Sequence, residues 1–129
     1  MRISCNNVGI QKAVQIINKG GIVIFPTDTV YGIGCDPYNQ NGVLSLYKIK
    51  KREKTKPFPV IGYSKKELEK IAEFNDKAEK IAEMFWPGPI TLILKVKDEN
   101  IRKSLGLGKK IAVRVPNNQC VLSLLKECK

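Results

Sequence analysis

The sequence predicts an α/β domain in which a twisted mixed parallel and antiparallel sheet is flanked by helices. Two observations lead there. Apolar runs of strand length at residues 22–25, 90–94 and 111–115 alternate with stretches whose apolar residues recur at helical spacing. No repeat, low-complexity tract or linker interrupts them, so the 129 residues read as one domain, 1–129, large enough to bury a core.

Each element has its own signal. Ile10, Ala13, Val14 and Ile17 share one helical face, and Gly20-Gly21 supplies the stop. Residues 22–25 (Ile-Val-Ile-Phe) then read as a buried strand ended by Pro26, and residues 26–38 as an ordered loop rich in Pro, Thr, Asp and Gly. A helix is expected over 41–50, with Val43, Leu44 and Tyr47 inward, and a strand over 57–62. Ser64-Lys65-Lys66-Glu67 is a capping box opening a helix that turns Leu68, Ile71 and Ala72 to the core. The next helix starts from Asn75 and buries Ala78, Ile81, Ala82 and Phe85. Strands at 90–94 and 111–115 follow, and a last helix from Asn117 or Asn118 carries Val121, Leu122 and Leu125 on its apolar face.

Composition narrows the chemistry. The formal net charge of +11 favours anionic ligands, either a nucleic acid or a small polyphosphate, and does not choose between them. The chain contains no histidine, which excludes a Ser-His-Asp triad, a Cys-His dyad and a histidine-ligated zinc within it. No apolar run is long enough to span a bilayer, and Met1-Arg2-Ile3-Ser4-Cys5 is not followed by the apolar stretch of a signal peptide. A cytoplasmic protein without membrane contact is therefore expected. The cysteines at 5, 35, 120 and 128 show no Cys-x-x-Cys pairing and read as free or buried thiols.

Four constellations carry the functional signal. In Pro26-Thr27-Asp28-Thr29-Val30-Tyr31-Gly32 a hydroxyl-rich loop with one carboxylate follows a strand, the usual position of α/β ligands, and Gly32 and Gly34 allow close backbone approach. A structural turn held by hydroxyl-to-backbone bonds explains the same composition. From Lys48 to Lys56 the chain is strongly basic; a helix C-terminus accounts for two or three of these charges, and the remainder suit a polyanion. In Phe85-Trp86-Pro87-Gly88-Pro89-Ile90-Thr91, Phe85 reads as packing and Trp86 as either core or cleft wall. Arg114 stands inside the apolar strand Ile111-Ala112-Val113-Arg114-Val115, on the face of Ala112, either solvated or held against an anion.

Together, and in this order, these segments resemble the YrdC-type threonylcarbamoyl-adenylate synthases from about Gly20 onward. The match rests on Pro-Thr-Asp-Thr-Val-Tyr-Gly, on Lys50-x-Arg52 with its following lysines, on Trp-Pro-Gly-Pro-x-Thr and on Ala-Val-Arg-x-Pro. The resemblance implies a nucleotidyltransferase that forms threonylcarbamoyl-AMP and pyrophosphate from L-threonine, bicarbonate and ATP, with Mg²⁺, for tRNA threonylcarbamoyladenosine. It implies that Thr27, Tyr31 and Arg114 bind threonine, Arg114 through its carboxylate. Lys50, Arg52, Lys54 and Lys56 are implied to bind ATP, while Lys48 and Lys51 are read as solvated. No residue is identified as the catalytic base; Asp28 is a candidate. The family's Ser-x-Asn segment would lie shortly after Lys129 and is absent from the chain, so an incomplete nucleotide site and an apolar patch near the last helix are expected. Implied partners are the substrates, tRNA or double-stranded RNA, and downstream tRNA-modification proteins. Two other readings stand beside this one: a non-catalytic RNA-binding module, and a domain that adenylates a different carbamoyl or amino-acid group.

Overall fold

The computed structural model describes residues 4–27, 31–50 and 58–128, and all structural statements concern these. In chain order the elements are α1 (Asn7–Asn18), β1 (Val23–Pro26), β2 (Tyr31–Gly34), α2 (Gln40–Lys50), β3 (Val60–Ile61), α3 (Lys65–Leu68), β4 (Ala72–Glu73), α4 (Asp76–Phe85), β5 (Leu92–Val96), α5 (Glu99–Leu105), β6 (Lys110–Arg114) and α6 (Gln119–Cys128). Strands β3, β6, β5 and β4 form a sheet in that spatial order, parallel between β3 and β6 and antiparallel elsewhere; β1 and β2 form a separate antiparallel pair. The expected mixed sheet flanked by helices is present.

The helices begin where short polar side chains can accept the first free N–H groups. Ser64 caps α3 and Asn75 caps α4, as their positions in the sequence suggest, and Asn6 caps α1. Asn118 caps α6 by accepting from the N–H groups of Cys120 and Val121. Helix α5 has no counterpart among the expected elements. Its signals are Asp98, which accepts from the N–H of Asn100 and Ile101, and Gly106, which closes the last turn at φ +66°.

Strand alternation divides the large sheet into a covered and an open face. Ile111 and Val113 of β6 point into the main core with Val60, Leu68, Ile101 and Leu105, and Val113 is 0% exposed. The partner positions on the other side, Ile93 and Ala112, form a cross-strand pair, and Ile93 is 69% exposed. A smaller cluster of Ala13, Val14 and Leu124, joined by Ile10, Ile17 and Val23, packs α1 against α6 and β1.

Several expectations change. The helix opened by Ser64 ends at Leu68, and Ala72, expected on its inner face, lies instead in strand β4, where it pairs with Val96. Residues 31–34 belong to strand β2 rather than to a loop, because they hydrogen-bond along β1 in the register Val23↔Gly34 to Pro26↔Tyr31. Strand β1 is half-exposed rather than buried, since it has one strand neighbour and one covered face. In α2 the buried stripe is Val43, Leu46 and Tyr47, and Leu44 lies outside that i, i+3, i+4 set. Phe85 is 48% exposed, because α4 ends there and Trp86 takes the place beside Phe74 against the core. Finally, Cys5 and Cys120 form a disulfide between the segment before α1 and the first turn of α6, with Cα atoms 6.0 Å apart. Packing of α1 on α6 creates that proximity across a separation of 115 residues, which no spacing rule detects. Cys35 and Cys128 remain thiols, as read.

In the last helix Val121 and Leu124 are buried and Leu122 packs half-buried on the main core. Among the described residues no helix is long and apolar enough to cross a membrane.

The two faces of the sheet make opposite predictions. Ile111→Ala removes a fully buried side chain and is expected to cost about 3 kcal/mol in urea-denaturation stability. Ile93→Ala, one strand away on the open face, is expected to change it by about 0.5 kcal/mol or less.

Candidate functional site

A cleft of about 700 Å³ opens between the β1–β2 pair, α6 and the end of the sheet where β3 and β6 run side by side. It gathers four of the residues selected from sequence: Thr27 after β1, Tyr31 at the start of β2, Lys50 at the end of α2 and Arg114 at the end of β6. Asp28 and the remaining candidates of the basic run, Arg52, Lys54 and Lys56, lie outside the described residues.

Arg114 is placed by the alternation of β6. Val113 occupies the buried side, so the next residue must point the other way, and it is half-buried. Its Nε donates to the carbonyl of Gly88 at 2.8 Å. Its own carbonyl accepts from Gly62 at 3.0 Å, and it pairs with Ile61 across the parallel junction. Backbone and side chain are therefore both held. A guanidinium in this setting can meet a carboxylate through parallel N–H bonds.

Lys50 is exposed at the helix C-terminus, where a cation is favoured by the helix dipole. Its Nζ sits 5.8 Å from the centre of the Phe58 ring, which leans on Tyr47 with ring centres 4.5 Å apart. Lys48 is exposed, in line with its reading as solvated. Thr27 is half-buried, and Tyr31 lies at the mouth of the cleft, 76% exposed.

Gly32 and Gly34 both line the cleft, and the structure gives a further reason for glycine at each. A Cβ on either would meet the ring of Phe25, at 2.8 Å and 3.0 Å respectively. Glycine on every second position of β2 thus makes room for an aromatic ring lying across the strand pair.

Sequence reading passed over the turn Cys35-Asp36-Pro37-Tyr38. Asp36 lines the cleft and accepts from the N–H of Tyr38 at 2.9 Å, an Asx turn signalled by Asp-Pro. The Tyr38 hydroxyl donates to Asp98 at 2.6 Å, tying this wall to the cap of α5. That bond holds the Asp98 carboxyl below the usual carboxylate range, and burial together with Asp98 pushes the Tyr38 phenol up. Burial, with Asp36 nearby, also raises the thiols of Cys35 and Cys128, which line the same cleft. Among the described residues no group of three or more Cys, Asp or Glu is placed to hold a metal ion.

A Sua5/YciO/YrdC family model, described as telomere recombination, matches residues 15–129, so the chain belongs to this family. The threonylcarbamoyl-AMP synthase of Pyrococcus abyssi is 36% identical over 118 residues, covering 91% of this chain and 35% of that protein. The enzyme of the same name from Bacillus subtilis is 32% identical over 127 residues, covering 97% of this chain and 37% of its own length. The crystal structure of P. abyssi Sua5 complexed with L-threonine superimposes with a TM-score of 0.87 at 34% identity, covering 98% of this chain and 37% of that one. The chain thus spans little more than a third of the length of each of these relatives.

The Tyr38–Asp98 bond gives a pH-dependent prediction. Asp98 has a lowered pKa in the fold, so its contribution is present above the ordinary carboxylate value and fades as pH falls through the folded one. Tyr38 has a raised pKa, so its contribution holds below the ordinary phenol value and fades as pH rises through the folded one. Tyr38→Phe is expected to cost about 1 kcal/mol at pH 7, shrinking toward zero in acid, as measured by denaturant titration across pH.

Proposed function

We propose that this chain binds L-threonine and ATP in the cleft and forms threonylcarbamoyl-AMP and pyrophosphate, with bicarbonate as the third substrate. The single observation that carries this reading is the convergence of Thr27, Tyr31, Lys50 and Arg114 on one cleft from three separate segments of the chain. The names of the relatives and the threonine-bound Sua5 structure point the same way.

In this reading Arg114 takes the threonine carboxylate, and Thr27 and Tyr31 flank the amino acid. The amine attacks the carbon supplied by bicarbonate, releasing water, and the carbamate oxygen then attacks the α-phosphate of ATP as pyrophosphate leaves. Lys50, with Arg52, Lys54 and Lys56, neutralises the phosphates, so that positioning and charge carry most of the catalysis. ATP enters as its Mg²⁺ complex. Mg²⁺ commonly binds through substrate phosphates, waters and one or two carboxylates, and Asp36 is a carboxylate on the cleft wall. The product would pass to the proteins that transfer it to tRNA in the cytoplasm.

The decisive measurement is pyrophosphate release from ATP. It is expected only when L-threonine and bicarbonate are both present; release without threonine, or none with all three, would overturn the reading. Arg114→Ala should weaken threonine binding by about 1.5–3 kcal/mol, or roughly 10- to 150-fold, while ATP binding changes little. Calorimetry with each ligand separates the two.

Within the basic run, Lys50→Ala and Arg52→Ala should each weaken ATP binding about tenfold or more, and Lys48→Ala or Lys51→Ala less than about twofold. Equal, salt-dependent losses at all four positions would instead favour a diffuse field for RNA.

A further inference from the structure

The segment between α4 and β5 does not enter the reaction as described, yet its bonds converge on Arg114. The N–H of Trp86 donates to Ala82 at 2.9 Å, closing α4, and its indole Nε1 donates to the Ile90 carbonyl at 2.7 Å. Its ring stands edge-on to Phe74, with centres 5.9 Å apart, against the main core. Trp86 thus anchors both ends of the bend, one through its backbone N–H and the other through its indole. Between them Gly88 is buried, and its N–H donates to the Val115 carbonyl at 2.9 Å. Its own carbonyl accepts from Arg114 Nε at 2.8 Å. Gly88 is clamped to β6 from both sides of its peptide, one bond to the backbone after Arg114 and one to the Arg114 side chain itself.

We propose that the Trp86–Gly88 bend is the positioning element of Arg114 and sets the affinity of the cleft for the substrate carboxylate. A guanidinium can grip a carboxylate along its Nε edge or across its two terminal nitrogens. With Nε bonded to the Gly88 carbonyl, the Nε edge is taken and the guanidinium plane is restrained. The bond helps hold a long side chain in one arrangement before substrate arrives, which lowers the entropy lost on binding. Glycine is required at position 88 because a Cβ there would run into the Phe85 carbonyl oxygen, a backbone atom that cannot swing aside. This inference rests on the reading of Arg114 as the carboxylate ligand.

The test is a double-mutant cycle on the full chain, with threonine and ATP affinities measured by calorimetry. Gly88→Ala should raise the threonine Kd about tenfold or more and leave the ATP Kd within about twofold, because the displaced carbonyl releases one ligand contact only. In turnover the loss should appear in KM for threonine, with kcat within about twofold. In the Arg114→Ala background Gly88→Ala should add less than about a twofold loss, since the residue it positions is already gone. Trp86→Phe, which keeps a smaller aromatic ring and deletes the bond to Ile90, repeats the cycle if Gly88→Ala fails to fold. It should show the same threonine-only, non-additive loss. Additive losses, or a wild-type threonine Kd in both bend variants while Arg114→Ala weakens binding, would overturn the positioning role alone. An unchanged Kd in Arg114→Ala would overturn the carboxylate reading and this inference together.

Discussion

Burial of Ile111 and Val113 beneath the sheet is the constraint on which both core and site depend. Strand β6 has β3 on one side and β5 on the other, so it cannot slip without breaking two ladders at once. A slip of one residue would exchange its faces, placing Ala112 and the charge of Arg114 in an apolar core that supplies no counter-ion. Hydrophobic burial therefore sets the register, and the register delivers Arg114 to the cleft. The main-chain bond from Gly62 to Arg114 and the side-chain bond to Gly88 then refine a position already decided by packing.

Around this fixed point the cleft is assembled from elements that owe their own placement to different forces. The β1–β2 pair brings Thr27 and Tyr31, and its closeness comes from Phe25 lying over two glycines. Helix α2 brings Lys50 because Val43, Leu46 and Tyr47 bury one of its faces. The turn after β2 is held across the molecule by Tyr38 and Asp98, whose carboxylate serves both as acceptor for the phenol and as cap of α5. The two free thiols sit on the same walls with raised pKa values, so at neutral pH they act as small apolar surface rather than as nucleophiles.

The fourth wall, α6, belongs to the smaller cluster with α1 and β1. That cluster is apolar and thin, and the Cys5–Cys120 bond supplements it by joining the chain ahead of α1 to the first turn of α6. Two cores of unequal size thus meet at the cleft, one carrying Arg114 and Lys50 and the other carrying β1 and α6.

Periodicity, capping residues and short motifs were enough to determine the fold class, most helix starts and three segments that share the cleft. Ser64 and Asn75 act locally, and a local interaction is legible in a local pattern. Alternation along residues 111–115 likewise placed Arg114 opposite Val113 before any neighbour was known. Tertiary structure alone decided the rest. Whether β1 is covered, whether Trp86 or Phe85 fills the core, why Gly32 and Gly34 lack side chains, and which cysteines meet all depend on partners distant in sequence. Each such outcome is a competition for the same space between residues that only the folded chain brings together, and a one-dimensional pattern carries no record of which one wins.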